Sequence, residues 1–183
     1  MGIRGWVGLG IGIGLSAGCA ATQPAAVTRV VSTDPASFAG RPVCFAPPTP
    51  TSDLMAQSHA RDALRLCEAG ARQESVSIVP IGTPGCAVAT VSWAAKSTGD
   101  FVAECNDAFF GRECAGHDVK KKLAKVTIAE PNGAPVVETV AALRSNKPEF
   151  TEQSFAALCR VAFHQYPRPL KNYQFDAEIP DVE

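Results

Sequence analysis

Two segments of the chain repeat apolar residues every three or four positions, and several others alternate them every second position. The first helical pattern carries Leu54, Ala56, Ala60, Ala63, Leu64 and Cys67 on one side and Gln57, Arg61, Asp62, Arg65 and Glu68 on the other. Thr51 or Ser52 supplies an N-cap, Asp53 suits the helix dipole, and Gly70 is placed to terminate the helix. The second pattern is the clearest in the chain: Phe155, Leu158, Cys159, Ala162, Phe163 and Tyr166 fall on one stripe. Thr151 is its expected cap, Phe150 is placed to staple onto Phe155, and Pro167 ends it.

The period-two segments predict strands. Arg41 to Ala46 reads as the first and stops at the Pro47-Pro48-Thr49-Pro50 run, which cannot continue a ladder. Val76 to Val79 is a short candidate. After a Gly82-Thr83-Pro84-Gly85 turn, Cys86 to Ala95 alternates cleanly. Leu123 to Ala129 and Pro135 to Leu143 alternate too, and the Asn132-Gly133 between them is a strong hairpin signal. Strand, helix, short strand, long strand, hairpin and helix in that order predict an α+β fold. The expected form is a two-layer sandwich of a mainly antiparallel, four- to five-stranded sheet with two helices on one face.

The domain so predicted spans residues 39–167. Residues 19–38, rich in Ala, Thr, Ser and Pro, read as a tether, with a short extended piece at Val27 to Val31, and residues 168–183 as a polar C-terminal tail. Lys96 to Lys121 is the least regular stretch and reads as a long loop. Such loops are often functional, so Phe109 and Phe110 within it are the candidate partner surface. The Lys120-Lys121-Lys122 run with Lys125 reads as the solvated flank of a strand, with a phospholipid or lipopolysaccharide contact as its alternative.

Ahead of the tether, Arg4 is followed by an uncharged apolar stretch from Gly5 to Leu15 and then by small residues, the layout of a secretory signal. That stretch is too short to span a bilayer, which needs roughly 20 apolar residues. The Gly8, Gly10, Gly12, Gly14 series lacks the preceding strand and the acidic partner that a dinucleotide loop requires. The segment Leu15-Ser16-Ala17-Gly18-Cys19 resembles the lipobox of bacterial lipoproteins. The resemblance implies cleavage by signal peptidase II after residue 18, with residues 1–18 as the signal peptide and Cys19 as the lipidated first residue of the mature protein. It further implies an outer-membrane address in a Gram-negative envelope, because Ala20 follows Cys19 where Asp would retain the protein at the inner membrane. Several acyl chains make such an anchor firm, since one alone binds only marginally.

Seventeen Lys and Arg against eighteen Asp and Glu leave a net charge of −1. That balance argues against a nucleic-acid partner, which requires a strong basic field. Besides Cys19 the chain holds Cys44, Cys67, Cys86, Cys105, Cys114 and Cys159, an even set suited to disulfides in an oxidising compartment. Six cysteines allow 15 pairings. The layout of elements suggests three: Cys44 with Cys86 on strands, Cys67 with Cys159 on facing helices, and Cys105 with Cys114 across a short loop. A metal site from Cys105, Cys114 and His117 matches no zinc spacing and lacks a fourth ligand, so no metal and no cofactor is expected.

No catalytic residue is expected either, since no nucleophile elbow, Ser-x-x-Lys, zincin or phosphate-loop motif occurs and His59, His117 and His164 are scattered. A second, looser resemblance rests on Gly85 to Trp93 and Ala156 to Pro167: over residues 40–167 the chain is similar to small bacterial envelope lipoproteins of unknown function. It implies a fold and an address. The expected role is a non-catalytic interaction or structural protein of the envelope, tied to a membrane through its lipid and to an envelope protein partner through the 96–121 loop or a sheet edge. The alternative is a carrier or sensor with a small apolar ligand between helices and sheet, in a cavity lined by Trp93 and Phe163.

Overall fold

In the computed structural model, which describes residues 22–49, 54–108, 111–130, 133–145 and 150–178, the first strand begins far earlier than the alternation suggests. The elements are β1 (Thr22–Val31), a 3-10 turn (Pro35–Phe38), β2 (Val43–Phe45), α1 (Leu54–Gln73), β3 (Ala87–Ala108), β4 (Gly111–Ala129), β5 (Pro135–Ser145), α2 (Glu152–Phe163) and β6 (Leu170–Glu178). All six strands join one sheet in the order β2-β3-β4-β5-β1-β6. Every neighbouring pair is antiparallel except β2 with β3, which is parallel. The α+β class with a sheet and two helices therefore holds, while the sheet is larger than expected and mixed.

Three segments depart from the sequence expectation. Residues 22–31, assigned to a tether, form β1 between β5 and β6. Residues 170–178, assigned to a tail, form the edge strand β6 against β1. The stretch read as a loop at 96–121 belongs mostly to β3 and β4, which pair from Val88 with Ala129 out to Ala108 with Gly111. In the other direction, Val76–Val79 contributes one parallel bridge, Ile78 with Val43.

Alternation within each strand divides the sheet into two faces. Ala25, Val27 and Arg29 of β1, Lys122, Ala124, Val126 and Ile128 of β4, and Val137, Thr139, Ala141 and Leu143 of β5 point to the inner face and are buried. Inner-face residues join Phe38, Phe45, Cys67, Ala71, Ala157, Leu158, Val161 and Phe163 in one core. Among the described residues the outer face carries no helix, and on it Val30 of β1 is 60% exposed and Val140 of β5 is 43% exposed.

α2 lies over β5, β4 and β1, and α1 packs along α2. The predicted cap is present: the Ser154 backbone N–H donates to Thr151 Oγ1 at 3.2 Å and the Thr151 N–H donates to Ser154 Oγ at 3.4 Å. Phe150 stacks on Phe155 with ring centroids 5.1 Å apart, as a staple requires. Gly70 does not end α1. It lies within the helix at the crossing with α2, where a Cβ would fall on the carbonyl oxygen of Ala156. Glycine is needed there for close approach rather than for backbone freedom.

Candidate functional site

Both cysteine pairings that connect separate elements are present. Cys44 of β2 is joined to Cys86, just ahead of β3, with Cα atoms 5.8 Å apart. Cys67 of α1 is joined to Cys159 of α2, with Cα atoms 5.0 Å apart. The helix-face cysteines are thus covalent partners rather than small buried hydrophobes. Cys105 and Cys114 occupy directly opposed register positions in the β3–β4 ladder. Cys19 and the Phe109-Phe110 pair lie outside the described residues.

The ladder itself is the most distinctive local feature. β4 pairs with β5 only from Lys120 onward, and β3 pairs with β2 only at residues 87–89. Residues 101–108 and 111–118 consequently pair with each other alone among the described residues, forming a two-stranded ribbon. At roughly 3.3 Å per residue its eight-residue arms extend about 25 Å. A bulge marks its base, with a register shift between Ser97 and Phe101 and Gly99 at φ +77°. There the Gly99 N–H donates to Ser97 Oγ at 3.2 Å, and Thr98 Oγ1 donates to the Val119 carbonyl at 2.9 Å.

A second polar centre sits at the far end of α2, and none of its members stands out in the sequence as a site. Arg29, 2% exposed, donates through Nε to Thr139 Oγ1 at 3.2 Å. Its terminal nitrogens donate to the carbonyls of Ala162 at 2.5 Å, His164 at 2.9 Å and Arg168 at 2.9 Å. The cation thereby takes up the free carbonyls at the helix C-terminus, where a positive charge also complements the dipole. Burial lowers the Arg29 pKa to about 10, partly offset by Tyr166 and Glu74, which leaves it charged at neutral pH. Its guanidinium lies over the Tyr166 ring, 5.5 Å from the centroid. The Tyr166 hydroxyl is enclosed without a hydrogen-bond partner among the described residues, and burial pushes its pKa up to about 12.

Beside this centre Glu74 bridges two cation-capable groups. Arg160 Nε donates to Glu74 Oε1 at 3.1 Å, and His164 Nδ1 lies 3.1 Å from Glu74 Oε2. Arg160 also meets Glu178 of β6 at 3.1 Å. Burial opposes the Arg160 charge, but the hydrogen bonds and charges of Glu74 and Glu178 outweigh it and hold its pKa above the ordinary arginine value. The His164 ring stacks on Phe175 at 4.2 Å. These contacts lock α1, α2 and β6 together. The arrangement is an electrostatic clasp, with the carboxylate committed to structural partners.

Of the candidate cavity liners, Phe163 is a packed side chain, while Trp93 lines a pocket of only about 100 Å³ with Leu64 and Val91. Phe163 is buried edge-on against Phe45 at 5.9 Å, and Trp93 meets Phe155 edge-on at 5.3 Å.

No family model matches the chain, and no curated protein matches it. Among solved structures it is similar to a PDZ domain protein from Parabacteroides distasonis, at 9% identity with a TM-score of 0.47 over 85% of this chain and 39% of that one. It is also similar to the PelC dodecamer from Paraburkholderia phytofirmans in two crystal forms, at 12% and 15% identity with TM-scores of 0.40 and 0.38, over 74% of this chain and 92% of that one. The chain thus spans well under half the length of the PDZ domain protein. These likenesses are too distant to carry an argument about function.

Proposed function

We propose that the chain is a non-catalytic interaction or structural protein of the bacterial envelope, anchored by lipid on Cys19 and engaging another envelope component through the β3–β4 ribbon. The observation that carries the second half is the ribbon's isolation. Two strands alone are marginally stable in water, and open edges of unpaired N–H and C=O groups are templates for pairing with another chain. A ribbon of this length projecting from a sheet suits a partner that covers it. The anchor rests on the lipobox resemblance at residues 15–19. The packing of Trp93 and Phe163 weighs against the carrier reading, which needs space between helices and sheet.

Photoreactive residues placed along 101–108 and 111–118 test the ribbon in living cells. A discrete adduct with one envelope protein from ribbon positions, absent from positions on α1, is the expected outcome. Adducts no more frequent from the ribbon than from α1 would refute it. Replacing residues 100–117 by a two-residue turn should remove the adduct while far-ultraviolet circular dichroism retains the signal of the two helices.

A further inference from the structure

The lysine run that reads as a strand flank divides across the sheet: Lys122 is buried on the inner face, and Lys121 points to the outer one. On that outer face the register places Lys96 of β3 directly opposite Lys121 of β4, and Lys121 directly opposite Arg144 of β5. Three basic residues thus form one row across three adjacent strands, whose backbones lie about 4.8 Å apart. Neighbours at that spacing can share a single phosphate. The row borders a groove of about 290 Å³ lined by Pro24, Ala26, Thr98, Lys121, Arg144 and Gln174. Asp176, paired with Pro24, lies on the β6 side. Lys125, four residues beyond Lys121 on the same face, is engaged with Glu138 at 3.2 Å.

The position of this groove along the chain selects its occupant. Pro24 lies five residues after Cys19, a span that a fully extended chain bridges in at most about 18 Å. Lipid on Cys19 therefore keeps the groove within reach of headgroups at a high effective concentration. The same face adds exposed Val30 and Val140 to its cations, the mixture of apolar and basic side chains that suits a bilayer interface. Building on the lipid-anchor reading, we infer that the outer sheet face docks on the bilayer that holds the anchor, with the phosphate of an anionic phospholipid seated between Lys121 and Arg144 and with Lys96 beside it. The anchor sets the distance, and the cation row sets the orientation.

Amine-labelling rates test this on the full chain, expressed in a host that processes lipoproteins and returned from detergent to vesicles. Mass spectrometry of the N-terminal peptide reads the anchor, and acetylation of Lys96 and Lys121 reads the docking. The probe is phosphatidylglycerol mixed into phosphatidylcholine vesicles, compared with phosphatidylcholine alone. Labelling of Lys96 and Lys121 is expected to slow about five-fold with phosphatidylglycerol, the scale of one basic side chain at an anionic surface. Lys171, at the opposite end of β6, should be unchanged, and Arg144→Glu should remove most of the protection. Equal labelling in both vesicle types would overturn the inference. So would equal protection by inorganic phosphate beside phosphatidylcholine vesicles, which would identify a soluble-anion site. An unacylated chain still protected by phosphatidylglycerol would refute the anchor and support the docking face, whereas an acylated but unprotected chain would do the reverse.

Discussion

A single guanidinium holds the Ala162 and His164 carbonyls at the end of α2, the Arg168 carbonyl ahead of β6 and a threonine hydroxyl from β5. Arg29→Met keeps most of the stem but leaves those carbonyls buried without a donor, so it should lower unfolding stability by about 3 kcal/mol. Arg29→Lys, which keeps the charge without the planar fork, should recover only part of that loss. Urea unfolding decides the matter, and a loss below about 1 kcal/mol for Arg29→Met would show that water replaces the guanidinium at little cost. Tyr166 provides a pH signature. Its pKa rises from 10.0 to about 12 on folding, so its contribution is complete below pH 10 and is lost as pH rises through about 12. Arg29 has the opposite sign, because its pKa falls from 12.5 to about 10 and deprotonation relieves the cost of burying its charge. Between pH 10 and 12 the two partly cancel. Tyr166→Phe removes the falling contribution, so the variant should lose stability less steeply than the parent across that window. Parallel pH profiles would count against the burial assigned to the hydroxyl.

At the scale of elements, α1 and α2 cross in close contact at Gly70. Gly70→Ala gains helix propensity worth about 1 kcal/mol but drives a methyl into the Ala156 carbonyl, so a net loss of about 1–3 kcal/mol is expected from thermal or urea unfolding. Removing the Cys67–Cys159 bridge, whose cysteines are 92 positions apart, should cost about 4–5 kcal/mol by chain entropy. Opposed residues in an antiparallel ladder have Cα atoms roughly 4.5–5.5 Å apart, inside the range a disulfide needs, so Cys105 and Cys114 are expected to form a third bridge that staples the ribbon. Peptide mapping without reductant should recover all three pairs, and free thiols at Cys105 and Cys114 would refute the third.

What the sequence made legible at this scale was whatever depends on near neighbours. The stripe of α2, its Thr151 cap and Phe150 staple and the turn before β5 follow from local spacing and pattern, and the two inter-element disulfides followed from the layout of elements that those patterns predict. Of β1 only the extended piece at Val27 to Val31 was legible, and it did not read as a sheet strand because Arg29 occupies a position that alternation reserves for an apolar residue, and the residues that make it tolerable arrive more than a hundred positions later. β6 alternates Tyr173, Phe175 and Ala177, but Lys171, Asn172, Gln174 and Asp176 between them disguise a strand as a polar tail. The ribbon was hidden by acidic and cysteine residues that no buried face demands. The Lys96, Lys121 and Arg144 row was invisible because register alone makes neighbours of residues on three strands.

At the scale of the whole molecule, the anchor and the sheet face form one hypothesis about posture. Cys19→Ala should release the protein from the membrane fraction or leave an unprocessed precursor of higher mass, and unchanged mass with unchanged fractionation would end the lipoprotein reading. The strand order carries a consequence in time as well as in space. β1 emerges from the ribosome among the first residues of the domain, yet it pairs with β5 and β6 and is pinned by Arg29 to Thr139 and Arg168, which are 110 and 139 positions downstream. Nothing synthesised earlier can complete the sheet. The domain must therefore wait, unfinished, until its last strand has been made, and such long-range pairing is intrinsically slow. On the proposed route of export across a membrane as an extended thread, that delay would be protective: the architecture would lock only after its first and last strands had reached the same side.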